Sequence, residues 1–116
     1  MARADAAIAD DPILAAIERH KEAWHSFEVA NQLTDAVLAE QEGRAVTQDD
    51  ENVYEEANNR EIAVLASLLI TVPQTKAGAR AAIEYLIKYD YGCEPRSTAA
   101  FAKTLLLSPV FANLEA

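Results

Sequence analysis

Two sets of polar residues in this chain have types and spacings that could support chemistry. In the first, Glu22 and His25 have the Glu-x-x-His spacing of di-iron helical bundles. Such a site requires two copies of the pair and two further glutamates, all projecting into the core. Helical periodicity instead places Glu22 and His25 opposite Phe27 and beside Glu18, on a solvated surface. We therefore predict no metal site and no cofactor.

The second set is His20, Asn31 and Glu61, which we predict to be polar residues facing the core. His20 and Asn31 fall on the apolar stripe of a first helix, and Glu61 falls at the centre of the stripe of a second. Antiparallel pairing about a turn near residue 46 would set Asn31 opposite Glu61. It would also set His20 near Val72 and the connection 73–75. A buried carboxylate is costly unless it is hydrogen-bonded, so we expect Asn31 and Glu61 to satisfy each other.

This second set also supports an alternative hypothesis, a small-ligand-binding or enzymatic bundle that uses His20 and Glu61 with Tyr85 or Tyr89. In that hypothesis Glu61 keeps its proton in an apolar site and acts as a proton donor. One carboxylate without a second catalytic group is not an active site, so we favour the structural role and predict no catalytic residue.

Two other groups of residues carry weaker signals. Cys93 is the chain's one cysteine, so an intramolecular disulfide is excluded and a reducing compartment is expected. No histidine is near it in sequence, and we interpret it as an incidental thiol. Lys76, Arg80 and Lys88 could face outward from a helix-turn-helix, which leaves a DNA-associated regulator as another alternative. Glu84 interrupts that face.

The positioning elements follow from composition and punctuation. The chain has 116 residues, of which 51 % are hydrophobic, with only three glycines and four prolines, so long helices are expected. We predict an all-α antiparallel helical bundle. Starts at Asp11-Pro12, Thr47, Thr75 and Ser97 and stops at Gly43, Pro73 and Gly92 give helices at about 12–42, 48–71, 75–91 and 97–114, the last interrupted at Ser108-Pro109.

Domain organisation and location can also be predicted. We expect a flexible segment over 1–10 and one helical domain over 11–116. The N-terminal segment is too polar and acidic for a signal sequence, and the longest apolar stretch, 62–72, is about half the length of a membrane span. These observations predict a cytoplasmic protein without membrane contact.

The predicted helices differ in length, which suggests where a partner binds. The two shorter helices can cover only one end of the long hairpin formed by 12–42 and 48–71, and residues 62–72, apolar almost all round, should be surrounded by neighbours there. The other end should project as a hairpin with a narrow apolar seam. We expect this seam to form a homodimer interface through Leu33, Val37, Leu38, Val53 and Tyr54. The alternative is that the hairpin frays without a partner.

The net charge of −9 is unevenly distributed. Residues 1–61 carry 15 acidic and 5 basic side chains, whereas residues 62–116 carry 4 and 5. The acidic half argues against nucleic acid and anionic lipid as partners, since both attract cationic surfaces, and favours solubility or a basic partner.

Two segments resemble a known group of proteins. These are residues 11–24, Asp-Pro-Ile-Leu-Ala-Ala-Ile-Glu-Arg-His-Lys-Glu-Ala-Trp, and residues 71–78, Thr-Val-Pro-Gln-Thr-Lys-Ala-Gly, which lead into an Ala-rich helix. Together they resemble a loose group of short, uncharacterised bacterial α-helical proteins. The resemblance implies an aromatic-bearing first helix, a second helix, a Pro-x-Thr-x-x-Gly connection and a third helix, and it implies no activity. The leading functional hypothesis is therefore a non-enzymatic protein-interaction or regulatory protein that forms a homodimer.

Overall fold

A computed structural model of the chain describes residues 10–89 and 96–112, and these residues form an all-α protein. About 80 % of them are helical, and they include no strand. The helices are α1 (Pro12–Leu33), α2 (Ala36–Gln41), α3 (Gln48–Leu69), α4 (Lys76–Tyr89), α5 (Arg96–Leu105) and α6 (Pro109–Ala112). The predicted helix end at 91–92, Cys93, Leu114 and all but the last residue of the predicted flexible segment lie outside the described residues.

The predicted first helix over 12–42 is wrong in one respect, because it is interrupted at residues 34–35. The Asp35 carboxylate accepts hydrogen bonds from the backbone N–H groups of Val37 and Leu38, at 3.0 and 3.1 Å. The Thr34 hydroxyl donates to the carbonyl of Asn31. Asp35 therefore ends α1 and caps α2, because its side chain competes with the helix for the first free N–H groups.

The turn between α2 and α3 confirms the predicted stop at Gly43 and start at Thr47. Gly43 has φ +74°, the left-handed conformation that favours glycine at a helix terminus. The Thr47 hydroxyl accepts from the N–H of Asp50, and the Asp50 carboxylate accepts from the N–H of Thr47, at 3.1 and 3.0 Å. This reciprocal capping box satisfies two backbone donors at the start of α3.

The last predicted helix, over 97–114, is divided into α5 and α6 by Ser108. Its hydroxyl accepts from the N–H of Val110 and donates to the carbonyl of Pro73, at 3.2 and 2.6 Å. Pro109 then occupies the first position of α6, where a missing N–H costs nothing. The interruption predicted at Ser108-Pro109 is confirmed.

The chain divides into two compact units, of which unit 1 comprises Met1–Glu18 with Ala66–Ala116 and unit 2 comprises Arg19–Leu65. The prediction of one domain over 11–116 stays a prediction. In unit 1, α4 packs against α5. Among the described residues of unit 1, the buried apolar side chains include Ile13, Ala16, Ile17, Leu68, Pro73, Ala79, Ala82, Leu86, Phe101 and Leu105.

Unit 2 has a smaller apolar core. Its fully buried apolar residues, among those described, are Ala23, Ala30 and Ala39. Beside them lies a row of partly buried aromatic rings, in which Phe27 is 5.4 Å from Trp24 and 5.5 Å from Tyr54 between ring centroids. The large apolar side chains of unit 2 are thus mostly covered but not fully enclosed.

The expectation that residues 62–72 are surrounded by neighbours is wrong. Leu68 is fully buried, but Ile62 and Ile70 are exposed over more than half of their surface. This stretch thus has more apolar surface than the described residues cover. No helix among the described residues is long and apolar enough to cross a bilayer.

Candidate functional site

A buried ion-pair geometry joins α1 and α3 inside unit 2. The Nε2 atom of His20 lies 2.9 Å from the Oε1 atom of Glu61. His20 is completely buried and Glu61 is 6 % exposed. Helical periodicity brings His20 to the core on the same stripe as Ala23 and Phe27. Glu61 lies two turns after Tyr54 on α3, and Tyr54 contacts the same stripe of α1.

The structure places two of the three predicted buried polar residues together and corrects the third. His20 and Glu61 are buried as predicted, whereas Asn31 is exposed, with its backbone carbonyl bonded to Thr34. The predicted pairing of Asn31 with Glu61 is therefore wrong. The core position at this level of α1 belongs to Ala30 instead, which is 1 % exposed.

The register of α1 against α3 explains this correction. Residue 20 faces residue 61 and residue 27 faces residue 54, so the observed partner of Glu61 lies eleven residues before the predicted one. The prediction assumed one long first helix over 12–42, followed by a turn near residue 46. Because α1 ends at Leu33 and α2 occupies part of the connection, the point about which the helices pair moves back along the chain. The offset amounts to about three helical turns.

Asp11 bonds the connection 73–75, and the predicted proximity of His20 to that connection stays a prediction. Asp11 is 2 % exposed, and its Oδ2 accepts from the N–H groups of Gln74 and Thr75 and from the Thr75 hydroxyl, at 3.0, 2.8 and 2.8 Å. Its Oδ1 accepts from the N–H of Ile13 at 3.3 Å. The cap on α1 was predicted. The bonds to the connection before α4 were missed, because nothing local to Asp11 signals them.

Gly78 makes this arrangement possible. The Thr75 hydroxyl accepts from the N–H of Gly78 at 2.9 Å, so Thr75 caps α4 as predicted. A β-carbon on Gly78 would collide with the Asp11 carboxylate and would lie 2.9 Å from Cγ2 of Ile13. The absence of a side chain at Gly78 therefore allows the start of α4 to approach Asp11 closely.

The buried groups form hydrogen bonds rather than an exposed reactive centre. Every buried side-chain nitrogen or oxygen atom of the described residues has a hydrogen-bond partner. Catalysis by His20 or Glu61 would require contact with a substrate, and both side chains lie below the surface. A shallow depression on α3 is lined by Asn52, Glu55, Glu56 and Asn59 and includes neither of them.

The remaining candidates for chemistry are dispersed. Glu22 and His25 are exposed, and the described residues contain no group of three or more His, Cys, Asp or Glu placed to hold a metal ion. Lys76 and Lys88 are exposed on α4. Arg80 bonds Glu84 at 2.7 Å, and this bond raises the pKa of the Arg80 guanidinium.

The predicted interface residues have unequal exposure. Val37 and Val53 are 66 % and 47 % exposed, whereas Leu33, Leu38 and Tyr54 are partly buried. Val29, which the sequence analysis did not single out, is 46 % exposed. These three valines are the exposed large aliphatic side chains on α1 to α3 before residue 60.

The surface that carries these valines is strongly acidic. Unit 2 contains eleven Asp or Glu against four Lys or Arg, a net charge of −7 out of the −9 of the chain. Hydrogen bonding to the backbone of Thr47 lowers the pKa of Asp50, with further lowering from the Thr47 hydroxyl and from Arg44. Asp50 therefore stays ionised beside Arg44, whose Nη1 lies 3.3 Å from its carboxylate.

Comparisons with known proteins add no assignment to this geometry. No family model matches the chain, and neither a curated protein nor a solved structure shows significant similarity to it.

Proposed function

We propose that this chain is a non-enzymatic protein-interaction or regulatory helical protein, and that unit 2 provides its binding surface. The observation that carries the proposal is the exposure of Val29, Val37 and Val53 on an acidic unit with a small apolar core. A contiguous exposed apolar patch often marks a protein-interaction site, and we propose that these three valines contribute to one such patch. The antiparallel pairing predicted for the bundle is part of this proposal, and the pairs 20–61 and 27–54 support it.

The charge of unit 2 indicates the chemistry of the partner. With eleven acidic and four basic residues, unit 2 attracts cationic surfaces and repels anionic ones. A cationic amphipathic helix would place apolar side chains on the exposed valines and basic side chains among the surrounding carboxylates. We therefore propose a basic protein segment as the partner, in a cytoplasmic setting.

A homodimer through the hairpin is the second proposal for the same residues. The exposure of Val37 and Val53 favours it, since both belong to the predicted seam. Charge opposes it, because two copies of unit 2 would bring net charges of −7 together. For this reason we place the basic partner first.

The alternatives from the sequence have less support. A ligand-binding or enzymatic bundle would need a ligand to reach His20 and Glu61, which bond each other below the surface. A DNA-associated regulator would use α4, where Arg80 is paired with Glu84. Neither arrangement supplies the convergent groups that such a function requires.

The proposal is tested with a fluorescently labelled, amphipathic Leu/Lys helical peptide. The control is a peptide of the same composition whose scrambled order removes the apolar face. We expect saturable anisotropy changes with the amphipathic peptide, at least about tenfold weaker binding of the scrambled one, and weakening by added salt.

The residues involved are tested by the double substitution Val37→Ser with Val53→Ser. We expect it to weaken peptide binding about tenfold, which corresponds to about 1.4 kcal/mol. Ile87→Ser is the matched control, since Ile87 is a comparably exposed aliphatic residue in unit 1. Equal binding of the two peptides, or equal effects of the two variants, would contradict the proposed surface.

A further inference from the structure

A separate apolar surface lies in unit 1, where α5 meets α6. Leu106 and Leu107 are 73 % and 75 % exposed, and Ile70 is 75 % exposed. These are the three most exposed large aliphatic side chains among the described residues. Exposure of this extent leaves apolar area in water, so covering the surface with another molecule would lower the free energy.

Two hydrogen bonds join the two segments that carry these three residues. The Thr104 hydroxyl donates to the carbonyl of Leu69, and the Ser108 hydroxyl donates to the carbonyl of Pro73. The segments 104–108 and 69–73 are therefore tied at both ends, and Ile70, Leu106 and Leu107 lie between the ties. We call these three residues the aliphatic patch.

The outward side of α5 carries three alanines and one charged residue among its described positions. Ser97, Phe101 and Leu105 face the core of unit 1. The exposed positions of the helix, apart from Arg96, whose side chain is not described, are Ala99, Ala100, Ala102 and Lys103. A helix that faces only water normally carries charged residues on its outer side. Here small side chains allow another helix to approach closely, and the long stem of Lys103 can lie along apolar surface with its charge in water.

We propose that the aliphatic patch is the self-association surface of this protein, occupied by the same patch of a second copy. Electrostatics favours this occupant. The described segments 66–73 and 97–109 contain a single charged residue, Lys103, so two copies can meet there without bringing acidic groups together. Unit 1 carries a net charge of −2, against −7 for unit 2.

A two-fold contact also suits the composition of the patch. In an isologous dimer the same residues are presented by both copies, so a surface must be complementary to itself. An apolar surface with one charge meets this condition, whereas a strongly acidic one does not. The inference goes beyond the proposed function, since it concerns unit 1 and leaves unit 2 of each copy to its own partner.

The experiment compares two matched double substitutions in the full chain. One is Leu106→Ser with Leu107→Ser, and the other is Val37→Ser with Val53→Ser, which addresses the hairpin. Sedimentation velocity is measured from about 1 µM to about 1 mM, the range in which weak dimers dissociate. Far-UV circular dichroism and thermal unfolding establish that each variant is folded, as expected for residues that lie mostly in solvent.

We expect the parent chain to dimerise with rising concentration, and the leucine pair to raise the dissociation constant at least about tenfold more than the valine pair does. Ile70→Ser should reproduce part of the shift, and added salt should not weaken the dimer. A dimer lost only with the valine pair would overturn the inference in favour of the hairpin. A monomer at all concentrations, or a dimer affected equally by both pairs or by neither, would also overturn it.

Discussion

Replacement of Asp11 by Ala gives the most direct test of how this fold is held together. The Asp11 carboxylate accepts four hydrogen bonds, from Ile13, Gln74 and the backbone and hydroxyl of Thr75, and it is 2 % exposed. Three of the four reach residues more than sixty positions away in sequence. Asp11→Ala would therefore remove the cap of α1 and a tertiary connection in one step.

The expected cost follows from the number and type of these bonds. A hydrogen bond to a charged group contributes about 1.5–3 kcal/mol, and a buried donor left without a partner costs about 1–3 kcal/mol. Water can enter the space left by the carboxylate, so the four contributions do not add. We expect a loss of about 3–4 kcal/mol in the free energy of unfolding, which is a large part of the roughly 5–15 kcal/mol of a typical domain.

Asp35→Ala is the matched control, because Asp35 also caps a helix but is exposed. Its carboxylate accepts two backbone N–H groups at the start of α2 and has no bond to a distant segment among those described. A cap of this kind costs about 1 kcal/mol when it is removed. Urea unfolding followed by circular dichroism gives both free energies, with unchanged slopes if the transition stays two-state.

The difference between the two unfolding free energies measures what the long-range bonds of Asp11 contribute. If Asp11→Ala costs no more than Asp35→Ala, the bonds from Asp11 to residues 74 and 75 do not stabilise unit 1. Asp11→Asn adds a second measurement, because it preserves the volume and one acceptor oxygen. Its cost should lie between those of the parent and Asp11→Ala.

Three further predictions concern other contacts. Glu61→Ala removes the carboxylate that the buried His20 imidazole bonds and should destabilise by about 1–3 kcal/mol. Glu61→Gln keeps hydrogen-bonding atoms and should cost less in urea unfolding, and equal costs would contradict the pairing. Gly78→Ala should destabilise the fold by about 2 kcal/mol, because the added β-carbon collides with the Asp11 carboxylate. A double-mutant cycle with Asp11→Ala should therefore show coupling between the two sites, and additive free energies would contradict the collision. For Asp50, bonds to Thr47 lower the pKa below its ordinary value of 3.8, so its stabilising contribution is present above that value and is lost as the pH falls through the lowered pKa. Below about pH 4, the free energy of unfolding should therefore fall less steeply with pH in Asp50→Asn than in the parent chain. An unchanged pH dependence would contradict the lowered pKa of Asp50.

Much of the local structure could be predicted because the signals act over three or four residues. Thr47 and Thr75 begin helices through side-chain bonds to the third residue after each, and Gly43 ends α2 in the left-handed conformation. The break at Asp35 obeys the same rule. It was missed because the apolar pattern on either side continues through it, so periodicity concealed a capping residue.

The sequence predicted that His20 and Glu61 are buried, but it did not predict that they bond each other. The spacing of His20 and Glu61 within apolar stripes correctly placed both in the core. Which partner each would meet depended on the path of residues 34–47, and a local pattern carries no information about that path. The first helix ends at Leu33 rather than at about residue 42, and this nine-residue difference became an error of about three turns in register.

Residue types and near neighbours in sequence are enough to decide the helical class and most of the helix starts. They also decide that negative charge is concentrated in the first half of the chain. Tertiary structure alone decided that Glu61 meets His20, that Asp11 joins the start of α1 to the residues before α4, and that Ile70, Leu106 and Leu107 stay exposed. Burial is set by which segments come together in space. An apolar side chain therefore predicts a contact, and only the fold shows whether this chain or another molecule provides it.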